Sequence, residues 1–445
     1  MDIKVRKPNI FSKIYLLAKE AFSNTKMLLF LDQGFVSISN FMIGILLARL
    51  LGIEEFGFYS MLWIIILFFS NIQFSLIISP MMSIGIKYDK DKTNEYYTSV
   101  FIQQIILCFV TVLIILGLGN FINYIKQDDP LGRGLLVLLS LICFSYQTQD
   151  FLRRYFFCVQ KHYISLVMDV VNYIGQFLTF FILYTTKNVS LNFFLWGVFC
   201  SHIVAIIIGV CSFVKFKFHL IVFRDSINRN YNFSKWMLIS NTFQYVGTQG
   251  ILWTAGFVLS PVSLGGIRAT FNLTAPISLF MQVIQNYLPI KASLKLVNHG
   301  EKGVIKYLLK ISLIAIGLFL IFVIFSIFYG EKFIDLIYGD KYGEYSFLLP
   351  FTLVYIAISS VIVIISTYFR AIEKTKPLAS SSVVATIISI IITIILMPLF
   401  KEIGVMSSLV FYNVTVLVIL LKTVNLNKHF KLGHTMRNLI RKVPK

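Results

Sequence analysis

Charge is what this sequence has least of. Lys, Arg, Asp and Glu make up 13% of its 445 residues, about half the share found in soluble domains. A fold of this length with so little polar surface cannot cover itself in water, so water is excluded as the solvent of most side chains. Cysteine is also scarce. Cys108, Cys143, Cys158, Cys200 and Cys211 all lie in or beside apolar runs, and none forms a Cys-x-x-Cys pair. That spacing argues against a zinc ribbon or a disulfide framework and reads as small apolar packing. The six histidines form no His-Glu-x-x-His motif, and His202, alone in the middle of an apolar run, reads as a packed helix residue. No catalytic residue, metal site or cofactor is expected from these patterns. The remaining charge is lopsided, 40 basic against 20 acidic residues. In a soluble chain a net +20 would point to nucleic acid. Here the charges sit in short segments between apolar runs, so membrane lipid is the expected partner and nucleic acid is not.

What the chain has in abundance is apolar length. Hydrophobic residues make up 57% and mean hydropathy is +0.80. A bilayer core of about 30 Å takes roughly 20 apolar residues per helix. Twelve spans fit, near 27–50, 57–79, 98–119, 134–156, 163–184, 190–213, 235–260, 265–289, 307–329, 347–369, 378–399 and 402–422. The expected class is an all-α integral membrane protein of about 12 transmembrane helices. Tight turns are expected at Leu51–Phe56, Ser260–Gly265 and Phe400–Lys401. The first long apolar run begins near residue 27 behind a basic segment too long for a signal sequence, so the first helix is expected to be a retained anchor. Within that segment Ile10, Ile14, Leu17 and Ala21, with Phe11, Tyr15, Ala18 and Phe22, keep helical spacing, which predicts an in-plane interfacial helix over 10–26.

Orientation follows from where the basic residues fall. With the N-terminus inside, the inner segments hold 32 of the 40 Lys and Arg. The outer ones are Arg49, Lys126, Arg133, Lys187, Arg268, Lys332, Lys341 and Lys401. Both termini are therefore expected in the cytoplasm, which requires an even number of spans. The outer loops around 120–133 and 330–346 are the largest and still short.

The chain also resembles itself at an offset of about 209–213 residues. Gly57 falls on Gly266, Tyr155-Phe156 on Tyr368-Phe369, and Val159-Gln-Lys161 on Ile372-Glu-Lys374. Equivalent positions are six helices apart, so the repeats share one topology and imply two six-helix lobes related by a pseudo-two-fold along the membrane normal. The expected organisation is a basic segment 1–26, an N-lobe 27–213, a basic connector 214–234, a C-lobe 235–422 and a basic tail 423–445.

Polar residues inside spans are costly and normally face a cavity or a partner. In the eighth span Arg268, Asn272, Ala275, Leu279, Gln282 and Asn286 fall within about 40° of one helical face at 100° per residue. Arg268, just inside the outer end, suits a phosphate by charge and by bidentate hydrogen bonding, or else reaches lipid phosphates at the interface. The seventh span carries Asn241, Gln244, Thr248 and Gln249, and the fifth Asp169, Asn172 and Gln176. Asp32 in the first span aligns with Asn241 under the repeat. Asp32 and Asp169 are candidates for a coupling proton or cation, while a helix-start cap or a pair with Lys26 is the plainer role for Asp32. Arg153 and Arg154 read chiefly as anchors at the inner membrane face. Gln103, Gln104, Gln147 and Gln149 suit glycan hydroxyls or cross-links between helices. Arg49 ends the first span beside Glu54 and Glu55, where a salt bridge or a place at the outer mouth is expected.

The segment Leu46-Leu-Ala-Arg-Leu-Leu-Gly-Ile-Glu-Glu-Phe-Gly-Phe-Tyr59 resembles the first helix turn of bacterial polysaccharide and O-antigen flippases, in the multidrug/oligosaccharidyl-lipid/polysaccharide exporter superfamily. It departs at Ile53, where proline is common. Tyr338-Gly-Asp-Lys-Tyr-Gly343, Ala371-Ile-Glu-Lys-Thr-Lys-Pro377 and Met397-Pro-Leu-Phe-Lys-Glu-Ile-Gly404 resemble that family's outer loop, inner turn and final hairpin. The resemblance implies two six-helix lobes around a central cavity in a bacterial plasma (inner) membrane. It also implies transfer of undecaprenyl-pyrophosphate-linked oligosaccharide from the cytoplasmic to the outer leaflet, cation-coupled, for a polysaccharide polymerase to use. Arg268, Asn272, Gln282, Asn286, Asn241, Gln249 and Arg49 are then the substrate-binding candidates. A drug or small-molecule exporter of the same superfamily is the alternative. A membrane polymerase or glycosyltransferase is disfavoured by the short outer loops.

Overall fold

The structure is a computed structural model that describes residues 25–85, 90–126, 132–186, 190–213, 216–372 and 376–440. The expected interfacial helix at 10–26 lies almost wholly outside them. The described residues are helical almost throughout and contain no strand. In order, α1 is Thr25–Gln73, followed by a π-helical turn at Phe74–Ile78 and the short α2, Ser79–Ile84. Next come α3 Lys90–Lys126, α4 Arg133–Cys158, α5 His162–Thr186 and α6 Leu191–Cys211. Then α7 Leu220–Tyr245 leads through a second π-helical turn, Val246–Gly250, into α8 Ile251–Val258. The chain finishes with α9 Pro261–Leu273, α10 Ala275–Tyr338, a 3-10 turn at Asp340–Tyr345, α11 Leu348–Ala371 and α12 Lys376–Ile440.

Among the described residues, eight stretches of helix are long and apolar enough to cross a membrane. Two of them, Asp32–Met82 and Lys376–Val424, are long enough for two crossings each. They run on as one because the turn inside is a single residue. Gly52 sits at φ +83°, Gly300 at +63° and Lys401 at +46°. Left-handed backbone is nearly free for glycine and costs an L side chain, so Lys401 carries the strain of the last hairpin. The third expected turn is built differently. Ser260 is extended, its hydroxyl accepts from Ser263 N at 3.0 Å, and Pro261 opens α9 with no N–H to satisfy. The second and seventh spans each contain a π turn, and the eighth breaks at Thr274 before Pro276.

The chain forms two compact units that interleave in sequence. One holds residues up to Ile43 and Gln73–Ser234; the other holds Gly44–Ile72 and Lys235–Lys445. In the first unit Met81, Tyr96, Val100, Phe151, Leu152, Tyr155, Phe156 and Met168 make the core. Tyr155 and Phe156 pack edge to face at 5.1 Å and 66°. Their repeat counterparts Tyr368 and Phe369, in a core of the second unit, do so at 5.3 Å and 72°.

The hairpin 44–72 is bound into the second unit by backbone contacts that side chains would prevent. A Cβ on Gly57 would collide with the Pro261 carbonyl, and one on Gly265 with the Ile53 carbonyl. Positions 53 and 57 map onto 261 and 265 at a single offset of 208 residues. The two contacts thus exchange under the repeat, as a two-fold requires. Small residues let membrane helices approach this closely. Around that contact Tyr245 donates to the Ile64 carbonyl at 2.6 Å, Asn71 to the Asn241 carbonyl at 3.2 Å, and Tyr342 to the Ala48 carbonyl at 3.0 Å. Gly57→Ala is expected to destabilise the protein by about 1–3 kcal/mol through overpacking. Gly34→Ala, with nothing within 4 Å of the new methyl, is expected to be silent. Thermal unfolding in detergent, read by size-exclusion fluorescence, separates the two.

Candidate functional site

In the first unit three helices bring charge together inside the apolar zone. Asp32 of α1 and Asp169 of α5 are each 2% exposed. Arg153 of α4 lies between them, its Nη2 3.0 Å from Asp32 Oδ2 and its Nε 2.6 Å from Asp169 Oδ2. Gln149, one helical turn earlier on α4, donates to Asp169 Oδ1 at 2.9 Å, and the Arg153 guanidinium stands 5.5 Å over the Phe157 ring. Arg154 is bonded at 3.1 Å to both oxygens of Asp150 and lies 5.1 Å over Phe74, in the π turn. Two guanidinium groups face three carboxylates, so the cluster carries one uncompensated negative charge when all are ionised. Asp32 Oδ1 is buried with no hydrogen-bond partner.

Asp32 thus pairs with Arg153 from inside a helix; it does not cap the start of α1. The second arginine of the Arg153-Arg154 pair fits the inner-face reading better than the first, which is a network centre. Asn172 and Gln176 continue the buried face of α5, with Gln176 donating to Asn172 at 3.2 Å. The other amides are helix cross-links. Gln104 and Gln73 are bonded at 3.1 Å, Gln73 also donates to the Gln147 carbonyl at 2.7 Å, and Gln103 donates to Ser226 at 2.7 Å. Gln73 escaped the sequence reading because nothing marks a lone amide that faces inward next to a π turn.

In the second unit Arg268 of α9 is half-buried between helices. Its Nη2 donates to Gln249 Oε1 at 2.7 Å, while its Nε is buried with no hydrogen-bond partner. Among the described residues no carboxylate forms an ion pair with it. Gln249 belongs to the π turn of the seventh span, a conformation often found at functional sites. The same Gln249 lines a cavity of about 280 Å³ with Thr248, Phe271, Tyr355, Ser359 and Ser360. Phe271 and Tyr355 meet there edge to face at 5.6 Å. Hydroxyls, an amide, two rings and the aliphatic side chains of Leu252, Ile356, Val363 and Leu409 therefore surround one pocket, beside an arginine with no carboxylate partner among the described residues.

The remaining candidates disperse. Asn272 donates to the Tyr338 hydroxyl at 2.9 Å and packs on Gly44. Asn241 offers its carbonyl to Asn71. The side chains of Gln282 and Asn286 lie outside the described residues. The polar stripe drawn from Arg268 to Asn286 crosses the break at Thr274, so helical phase does not carry through it. Arg49 caps a helix end. Its Nε and Nη2 donate to the Ile337 and Leu336 carbonyls, both at 2.5 Å, in the last turn of α10. Its partners are carbonyls in place of the expected Glu54 or Glu55.

The fold is shared with known transporters. It superposes on the lipid II flippase MurJ in an inward closed conformation with TM-score 0.68 at 14% identity, over 89% of this chain and 87% of that one. A multidrug resistance MATE family transporter in its inward-facing conformation gives 0.66 at 13% identity, over 92% and 96%. The eukaryotic MATE transporter AtDTX14 gives 0.61 at 14% identity, over 91% and 96%. Identity at this level speaks for the all-α, multi-pass membrane fold alone. No curated relative matches the sequence. A family profile described as polysaccharide biosynthesis protein matches residues 46–347, and the chain belongs to that family.

Proposed function

We propose that the protein is a flippase that moves lipid-linked oligosaccharide, carried on undecaprenyl pyrophosphate, from the inner to the outer leaflet of a bacterial plasma membrane. The observation that carries this reading is Arg268, half-buried, its Nε without a hydrogen-bond partner and, among the described residues, no carboxylate paired with it, beside a cavity of mixed polar, aromatic and aliphatic lining. A guanidinium in that state is a natural partner for phosphate oxygens. The cavity beside it offers hydroxyls and an amide for sugar hydroxyls and two rings for sugar faces. Membership of a polysaccharide biosynthesis family and the likeness to a lipid II flippase support the same cargo class. A drug exporter of MATE type shares the fold. An exporter of cationic drugs would be served by acidic residues, and none lines this cavity. Both termini lie in the cytoplasm on the basic-residue count, and a polysaccharide polymerase takes the delivered product.

The cycle is alternating access, with Asp32 and Asp169 as the coupling groups. Their uncompensated charge in a low-dielectric interior is relieved by one proton or one small cation. Arg153 is a positioning residue: it holds the two carboxylates together and competes with the incoming cation.

Two measurements test the reading. In a deletion strain, an intact lipid-linked repeat unit is expected to accumulate in the lipid extract, read by mass spectrometry. Wild type clears it, and Arg268→Ala does so about 10–100-fold less well, the loss expected for a charge-assisted hydrogen-bond partner. Lys at 268 is expected to rescue in part, keeping charge without the planar fork. In proteoliposomes Asp169→Asn is expected to abolish the response of flux to imposed proton or sodium gradients while leaving the protein monodisperse. An unchanged gradient response would remove Asp169 from coupling.

A further inference from the structure

The connector between the sixth and seventh spans is a helix with its amphipathicity reversed. From Leu220 it runs without a break into the seventh span, ending at Tyr245. Its buried side is polar. Ser226, Asn230 and Ser234, at i, i+4 and i+8, are all 2% exposed or less. Gln103 of α3 donates to Ser226 at 2.7 Å, Asn230 donates to Gln103 at 3.3 Å, and Tyr96 donates to Asn230 at 3.1 Å. Just before the helix, Lys217 N donates to Thr98 at 3.2 Å. These contacts pin the connector across the inner end of the third span, at the height where the apolar part of that span begins.

The outward side is ordered in sectors. At 100° per residue Leu220, Ile227 and Tyr231 share an arc of about 40° next to the buried stripe. They are 68%, 41% and 61% exposed. Arg224 and Lys235 follow within about the next 40°, both exposed. Beyond them come Asn228, Asn232, Asp225 and Arg229, the last two paired at 3.8 Å. Only Ile221 and Phe233 stand outside this order among the exposed apolar residues. Going round the helix, the sequence is buried polar, exposed apolar, unpaired basic, then neutral polar. A helix lying in a membrane boundary meets protein, acyl chain, headgroup and water in that same order.

We propose that residues 220–235 form a binding surface for anionic phospholipid of the inner leaflet, with Leu220, Ile227 and Tyr231 among acyl chains and Arg224 and Lys235 on headgroup phosphates. The occupant is lipid because the apolar arc adjoins a membrane span, and anionic because its bordering charges are basic and lack an acidic partner on their own helix. The helix is pinned to the third span, so bound lipid acts on that span.

Full-length wild-type protein in vesicles is the material for the test. Phosphatidylglycerol and phosphatidylcholine, each with a photoactivatable diazirine in one acyl chain, are cross-linked in parallel, and adducts are mapped by peptide mass spectrometry. Adducts on residues 220–235 are expected to favour phosphatidylglycerol by roughly fivefold or more, since each basic residue near a membrane contributes about that factor. Arg224→Gln with Lys235→Gln is expected to equalise the two probes there. Leu313, Ile321 and Phe328, exposed on α10 and remote in sequence, serve as the control and are expected to label equally with both. Equal yields at 220–235 in wild type would overturn the proposal. So would a lack of adducts there while α10 labels, which would mark the face as one held in water for a soluble partner.

Discussion

A charge placed in hydrocarbon must find a partner or a purpose, and the two units of this protein meet that constraint in opposite ways. In the first, one guanidinium is shared between two carboxylates from different helices. Removing either side of such a buried pair costs about 3–5 kcal/mol. The arrangement therefore fixes α1, α4 and α5 to one another as well as holding charge. In the proposed cycle the excess of one carboxylate is the charge that a proton or cation relieves.

In the second unit the guanidinium of Arg268 bonds to an amide and, among the described residues, pairs with no carboxylate. On the proposed function that arrangement serves an anion, the pyrophosphate of a lipid-linked sugar. The close backbone contacts at Gly57 and Gly265 matter for the same reason. They hold the 44–72 hairpin against the seventh and eighth spans with little side-chain volume between, and Tyr245 and Asn71 bond to backbone carbonyls alongside. Arg49 does related work by covering carbonyls at the end of α10.

The class of fold was legible in the sequence because hydropathy is additive along a helix and needs no tertiary knowledge. The turns were legible for a similar reason: Gly52 and the Ser260-Pro261 pair announce their backbone locally. The repeat was legible in part. Tyr155-Phe156 and Tyr368-Phe369 pack alike, while the glycine match is offset by one residue, with Gly265 and not Gly266 reciprocating Gly57. The partners of charged groups were not legible. Asp32 and Arg153 are 121 positions apart, and no local pattern links them. The stripe on the eighth span assumes an unbroken helix, and the chain interrupts it at Thr274, ahead of Pro276; the side chains of Gln282 and Asn286 lie outside the described residues. The inverted connector helix was hidden for the opposite reason. Its buried face is the polar one, so composition made it look like a plain basic loop.

On the proposed function this chain itself carries a charged, glycosylated lipid across a bilayer. The most direct test places purified protein in sealed vesicles with lipid-linked oligosaccharide confined at the start to the inner leaflet, and follows its exposure to an external glycosidase. Time-dependent exposure is expected to exceed greatly that of protein-free vesicles and to be suppressed by Arg268→Ala. Exposure no faster than in protein-free vesicles, with the protein shown folded and correctly inserted, would contradict it.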